Sequence, residues 1–259
     1  MQKTKINKIL KKKNRSPIVC LTAYTRNIAK ITDKYCDIIL VGDSLGMVLY
    51  GMKSTRNVTI ETMIVHAKAV KEATKKSLVV FDMPYKTYTN KFSAYKNAKK
   101  VIKLTKCDAI KVEGGKKIEK IVNFLVKKGI PVLGHVGLLP QTSKNFSPRG
   151  KSNAERKRIL KDAIAISNSG AFAIIIECVV ERLAKEITKN IKIPTIGIGA
   201  SRHCDGQILV TEDLTGLSDF SPKIVKQYAN LNKSIEKCIK NYTKDVKMKR
   251  FPFIKNVYK

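Results

Sequence analysis

Asp43, Asp82, Glu113, His135 and Glu177 each end or immediately follow a short apolar run, and Lys111 stands two residues before Glu113. The chain holds 20 acidic residues among 259, yet four of them fall in this one kind of position. Strand ends and helix caps favour Asp on their own account, but four acids, a histidine and a lysine gathered at one place would form an active site. Carboxylates facing one cavity repel each other and bind protons more tightly unless a cation lies between them. An oxygen donor set without a Cys/His cluster implies a hard metal, Mg²⁺ or a substitute such as Mn²⁺. Such an ion can chelate an α-keto acid through carboxylate and ketone, and stabilise the enolate formed when the neighbouring carbon loses a proton.

The remaining polar residues fit roles around that ion. Strand alternation puts Lys111 on the same face as Glu113, where it can bind a substrate carboxylate or pair with Asp82 or Glu113. Glu177 ends the apolar run AFAIIIE; desolvation there makes a stronger base, whereas a capping or paired Glu is the plainer alternative. The turn Gly42–Asp43–Ser44–Leu45–Gly46 permits close backbone approach, and Ser44 can donate to a bound carboxylate. His135, in GHVGLLPQ, can hydrogen-bond substrate or orient a carboxylate. His66, within METMIVHAKAV, is expected to be structural.

The elements that must position these groups alternate in type. Apolar runs at Ile18–Thr22, Ile38–Gly42, Leu78–Asp82, Ala109–Glu113, Pro131–His135, Ala173–Glu177, Thr195–Gly199 and Ile208–Thr211 suit strands of a parallel sheet covered on both faces. Lysine-studded helical stretches separate them at Ile60–Lys76, Phe92–Thr105, Lys117–Lys128 and Ala154–Ser169. The links between strands 1 and 2 and between strands 7 and 8 are tighter. Eight strands in β-α order point to a (β/α)8 TIM barrel, whose C-terminal strand ends converge on one catalytic mouth. An open doubly wound sheet lacks its G-x-G-x-x-G after the first strand. A helical extension is expected over Lys223–Lys244, then a basic tail from about 245 to 259. The whole chain, 1–259, is expected to be a single domain.

Composition narrows the class. Lys+Arg number 52, giving a net charge of +32, while hydrophobic residues make up 43%. This is a globular profile. The charge invites a nucleic-acid interpretation, but lysines are spread over nearly every polar segment, aromatics are 7% and Trp is absent. A dedicated surface would concentrate charge and add stacking rings. Cys20, Cys36, Cys107, Cys178, Cys204 and Cys238 form no CxxC pair, so most are expected to be small buried residues in a reducing cytosol. No run of 18 apolar residues occurs, and the basic start MQKTKINKILKKKN lacks a signal peptide's apolar stretch. A soluble, cytoplasmic protein is the expectation.

Seven blocks in order carry a resemblance: TAYT (Thr22–Thr25), VGDSLGMVLYG (Val41–Gly51), FDMPY (Phe81–Tyr85), IKVEGG (Ile110–Gly115), PVLGHVGLLPQ (Pro131–Gln141), IIIECV (Ile174–Val179) and PTIGIGAS…DGQILVTEDLTGL (Pro194–Leu217). From about residue 3 to 229 the chain resembles the 3-methyl-2-oxobutanoate hydroxymethyltransferase (ketopantoate hydroxymethyltransferase) family of pantothenate synthesis. The resemblance implies a barrel of the phosphoenolpyruvate/pyruvate-like superfamily. It implies one Mg²⁺ per subunit, 5,10-methylenetetrahydrofolate as co-substrate and 2-dehydropantoate as product. It further implies that Asp43, Asp82 and Glu113 surround the metal, and that Asp43, Ser44, Asp82 and Lys111 contact the keto acid. Glu177 would be the proton acceptor, with His135 beside the substrate. Assembly would be a homodecamer of two stacked pentameric rings.

Departures from the family pattern are peripheral: Thr25 after TAY, Lys86 and Thr87 after DMPY, Ser201 for a usual glycine, and NFSPRG at Asn145–Gly150. They bear on folate affinity and assembly more than on the reaction. The nearest enzymatic rival is a Mg²⁺-dependent carbon–carbon lyase or phosphonomutase of the isocitrate-lyase kind. Those enzymes carry a KKCGH-type cysteine loop, which this sequence lacks. A basic nucleic-acid-binding protein is the rival from another class.

Overall fold

The computed structural model describes residues 2–143, 145–218 and 222–258, which gather into two compact units, Met1–Val210 and Thr211–Lys259. In the first, eight parallel strands close into a barrel in sequence order. They are β1 (Ile18–Thr22), β2 (Ile38–Val41), β3 (Leu78–Asp82), β4 (Ala109–Lys111), β5 (Val132–Gly137), β6 (Ala173–Glu177), β7 (Thr195–Ile198) and β8 (Gly206–Leu209). The ring closes through β1 and β8, where Ile18 pairs with Gly206 and Leu21 with Leu209. A Cβ on Gly206 would meet the Ile18 carbonyl oxygen at 2.4 Å, so only glycine allows the seam. All eight expected strands are present. The last sits two residues earlier than expected, because pairing with β1 fixes its register.

The helices of this unit are α1 (Gln2–Lys11), α2 (Arg26–Thr32), α3 (Leu45–Val48), α4 (Ile60–Ala73), α5 (Lys91–Thr105), α6 (Glu119–Lys127), α7 (Asn153–Asn168) and α8 (Glu181–Asn190). Local chemistry sets their ends. Thr59, Asn90 and Ser152 cap α4, α5 and α7, each side-chain oxygen accepting from a first-turn backbone N–H. The α4 helix stops at Ala73 rather than Lys76 because the next amides are taken elsewhere. The N–H groups of Lys75, Lys76 and Ser77 all donate to the Asp33 carboxylate. No helix joins β7 to β8, in line with the tight link expected there.

Two apolar layers result from the period-2 alternation of the strands. One face, with Ile39, Val79, Phe81, Ile110, Val132 and Ile174, packs on helix residues such as Met63, Ala67, Ala98 and Leu125. The other face fills the barrel interior with Ile18, Ile38, Leu40, Leu78, Val80, Ala109, Leu133, Ile175 and Ile208. Ile6 and Ile9 of α1 belong to that interior cluster and close the end at which the strands begin. The basic segment that begins the chain is therefore a helix with a structural task, which its lysines concealed.

In the second unit, α9 (Thr211–Leu214) is followed by α10 (Leu231–Lys247). The expected extension from Lys223 begins instead at Leu231, where the Asn230 side chain caps the helix by accepting from Lys233 N–H. Among the cysteines, all free, Cys20, Cys36, Cys107 and Cys204 are buried, Cys178 is partly buried and Cys238 is exposed.

Candidate active site

The alternation that fills the barrel also assembles the site. Inward positions run Leu78, Val80, Asp82 along β3, and Ala109, Lys111, Glu113 along and just past β4. They continue as Leu133, His135 along β5 and Ala173, Ile175, Glu177 along β6. In each strand the early inward residues are apolar and the last are polar, so five polar groups gather at the C-terminal mouth. Lys111 Nζ donates to both Asp82 carboxylate oxygens at 2.9 Å and to Glu113 Oε1 at 3.2 Å. His135 lies 3.7 Å from Glu113 and 3.4 Å from Glu177. Asp43 joins from the turn after β2: its backbone N–H donates to Asp82 Oδ2, and its carboxylate accepts from Gln141 Nε2 at 2.9 Å.

Ser44 follows Asp43 in the same turn. Its hydroxyl shares a 2.7 Å hydrogen bond with the Tyr24 hydroxyl, beneath the first turn of α3. Tyr24 is itself fixed through its carbonyl by His66 Nδ1, whose other nitrogen meets Tyr50 Oη. His66 is thus a bracing residue, as its place in mid-helix suggested. Backbone geometry beside Glu177 is also specialised. Gly137 has φ +96°, and a Cβ there would meet the Glu177 carbonyl oxygen at 2.4 Å. Cys178 adopts φ +49°, held by its N–H donating to the Ile198 carbonyl and its carbonyl accepting from Arg149 N–H. Such a conformation costs a non-glycine residue about 1–3 kcal/mol and is kept only where surroundings over-determine it.

Burial gives these groups unusual proton affinities. Burial, then Asp82, pushes the Asp43 carboxyl well above its ordinary range. Burial raises Glu113 as well, against the pull of Lys111. Burial and then Glu113 push Glu177 up to about 8, although its side chain remains 15% exposed to the mouth. For Lys111, burial would lower the ammonium, but Asp82, Glu113 and Asp43 together hold it well above its usual value. Burial and the Lys111 charge keep His135 well below its usual value, hence neutral. Its Nε2 reaches the Leu138 carbonyl, which can only accept, so Nε2 carries the proton. Nδ1 is then a buried lone pair without a hydrogen-bond partner.

This donor set suits a hard cation. Four carboxylates share the mouth with one ammonium, and His135 Nδ1 awaits a donor such as a cation's water. Among the described residues, no three His, Cys, Asp or Glu side chains converge at metal-ligand spacing. One or two carboxylates completed by water and substrate oxygens is the usual shell of Mg²⁺. Sequence reasoning overlooked Tyr24, Tyr88 and Gln141. The first and last lie within the motif blocks TAYT and GHVGLLPQ, where polar residues flanking an acid or turn were a usable signal. Tyr88, in YKTYTNK, offered none.

Comparison with known proteins gives a consistent result. Residues 3–253 match the family described as ketopantoate hydroxymethyltransferase. A protein named 3-methyl-2-oxobutanoate hydroxymethyltransferase from Pelagibacter ubique (strain HTCC1062) is 54% identical over 254 residues, spanning 98% of this chain and 99% of that one. A protein of the same name from Rhizobium etli is 48% identical over 252 residues, spanning 95% and 92%. Among solved structures, phosphonopyruvate hydrolase in complex with oxalate and Mg²⁺ has a TM-score of 0.64 at 11% identity, over 97% of this chain and 93% of that one. A 2,3-dimethylmalate lyase of the PEP mutase/isocitrate lyase superfamily has a TM-score of 0.62 at 14% identity, over 98% and 89%. At those identities the structural likeness is one of fold.

Proposed function

The chain belongs to the ketopantoate hydroxymethyltransferase family and is a transferase, and from that premise we propose how its residues carry the reaction. The substrates are 3-methyl-2-oxobutanoate and 5,10-methylenetetrahydrofolate, and the product is 2-dehydropantoate. Asp43, Asp82 and Glu113 are the residues that would surround Mg²⁺, one or two of them as direct ligands and the rest through its water. When bound, the ion would polarise the ketone and favour loss of the proton on the adjacent carbon.

Everything else is the work of the chain. Lys111, fixed between Asp82 and Glu113, presents an ammonium to the substrate carboxylate. Ser44, its hydroxyl oriented by Tyr24, donates to the same carboxylate. Glu177 takes the proton from C3: the C–H bond breaks, the proton passes to the Glu177 carboxylate, and the electron pair remains on the substrate. Water cleaves the C–N bonds that hold the methylene carbon, releasing formaldehyde and leaving tetrahydrofolate with the protons. The C3 electron pair then bonds to the formaldehyde carbon, and its oxygen takes the proton held by Glu177 to become the hydroxyl. Neutral His135 lies against Glu177 through Nε2 and keeps its free lone pair, on Nδ1, on the side of Glu113.

The observation that carries this reading is the Glu177 carboxyl, at about 8 and still open to the mouth. A base poised near neutrality is suited to a carbon acid. The deciding experiment is proton–deuterium exchange at C3 of 3-methyl-2-oxobutanoate, followed by NMR with Mg²⁺ and with EDTA, first without and then with folate. Metal-dependent exchange supports the reading. Its absence in folded, metal-loaded protein under both conditions rejects it.

The same reading takes 1–259 as one functional domain, working in the cytoplasm as a homodecamer of two pentameric rings. Support for self-association comes from α10, which exposes Leu231, Ile235, Ile239, Tyr242 and Val246 at helical spacing. Among the described residues, no helix is long and apolar enough to cross a membrane.

A further inference from the structure

Gln141 is only 1% exposed, yet it comes from the loop after β5 rather than from a strand. Its side-chain Nε2 donates to Asp43 Oδ2 at 2.9 Å and to the Met83 carbonyl at 3.0 Å. A carbonyl can only accept, so the amide orientation is fixed. The remaining oxygen, Oε1, accepts from the Tyr88 hydroxyl at 2.5 Å. Tyr88 in turn accepts from Glu113 N–H at 3.2 Å. The backbone N–H of Gln141 donates to Glu113 Oε2, also at 3.2 Å. One residue thus fastens an acid from the turn after β2 to an acid from the end of β4.

We propose that Gln141 is a positioning residue that sets the Asp43 and Glu113 carboxylates in the orientation in which they receive a divalent cation. The inference rests on the metal reading above. Its physical content is that a carboxylate accepting a fixed hydrogen bond on one oxygen turns the other toward the ligand site. Partners of this kind are worth roughly 10–100-fold in metal affinity where they have been removed. Asp43 needs such a partner because its attraction to Lys111 is offset by Asp82 and Glu113. Tyr88 supports the arrangement one step further out, by holding the amide oxygen.

A residue that merely plugs the loop would leave cation binding alone. Arg56 supplies the contrast, since it anchors the same loop from outside. Its Nε donates to the Gln141 carbonyl and its guanidinium to the Ser143 carbonyl, with no acid touched. The test is Mn²⁺ binding by electron paramagnetic resonance, without keto acid or folate, on the full chain and on Gln141→Met, Tyr88→Phe and Arg56→Ala. Thermal melts in EDTA verify the fold of each.

Gln141→Met is expected to weaken Mn²⁺ binding about 10–100-fold, Tyr88→Phe by a smaller factor, and Arg56→Ala to bind as the parent does. Unchanged affinity in folded Gln141→Met overturns the proposal, as does an equal loss in Arg56→Ala. Should Gln141→Met fail to fold, Tyr88→Phe decides: weakened binding supports the role and parental binding overturns it. If the parent chain itself binds no Mn²⁺, the metal reading falls and the proposal with it. That outcome is distinct from binding that is indifferent to Gln141.

Discussion

The two ends of the barrel interior are built from the same strands and buried alike, yet they do opposite things. At the closed end, Ile18, Ile38 and Leu78 pack with Ile6 and Ile9 of α1. Removing such surface from water stabilises the fold by about 25 cal/mol per Å². At the open end, Asp82, Lys111, Glu113 and His135 are equally excluded from water. There burial works against charge, and the groups remain compatible with the fold only through one another. Burial therefore has no fixed sign. What it does depends on the atom type the alternation delivers, and a site is made where stability is not maximised.

The sharpest break between the two ends is at Glu177. Glu177→Gln is expected to slow C3 exchange by about 10²–10⁴-fold, with keto-acid binding nearly intact by calorimetry. Exchange at the parental rate would remove Glu177 from the base role. The same variant has a pH signature. A carboxyl raised to about 8 in the folded state contributes stability below its unfolded value, about 4.3, and that contribution is lost as pH rises through 8. In EDTA, Glu177→Gln should gain on the parent in denaturant melts between those limits. A constant difference across that window would contradict the assignment.

Next in size is Lys111→Met, which leaves Asp82 and Glu113 without their ammonium. Urea unfolding in EDTA should show a loss of about 3–5 kcal/mol, the cost of orphaning buried charge. A neutral result would mean that the ammonium is not what keeps these acids compatible with the fold. At the closed end, Leu78→Ala should cost about 2–5 kcal/mol through its cavity while leaving kcat/KM of the remaining folded enzyme unchanged. A large kinetic effect would show that the two ends are coupled.

The smallest effect is expected at Asp205, on the rim that faces α1. Burial would raise this carboxyl, but Lys13 and the backbone N–H groups of Thr195 and Asn14 hold it below its ordinary value. Its contribution is therefore present above about pH 4 and lost as pH falls through the lowered value. Asp205→Asn should cost about 1–3 kcal/mol at neutral pH, and the deficit should shrink on acidification. A deficit independent of pH would point to packing rather than charge.

Much of this was legible in the residues. Each apolar run became a strand because two covered faces demand apolar residues at every position, and the acid or histidine ending or following five of the eight runs marked the mouth. The α1 helix was not legible, because its exposed lysines mask the Ile6 and Ile9 stripe that the barrel end requires. The end of α4 was equally hidden, since the Asp33 carboxylate that captures its last amides lies some forty residues earlier. Tyr88 escaped notice because nothing nearby in sequence shows that its hydroxyl reaches the Glu113 amide.

By itself the sequence determined the order of the elements, the interior alternation and which residue types would stand at the mouth, since these follow from local periodicity. The tertiary structure alone decided their company. It set the Lys111 ammonium between Asp82 and Glu113 and left His135 Nδ1 unpaired. It also brought Gln141 across to Asp43. Hydrogen bonds and proton affinities depend on distances between residues far apart in the chain, and those distances exist only once the barrel has closed.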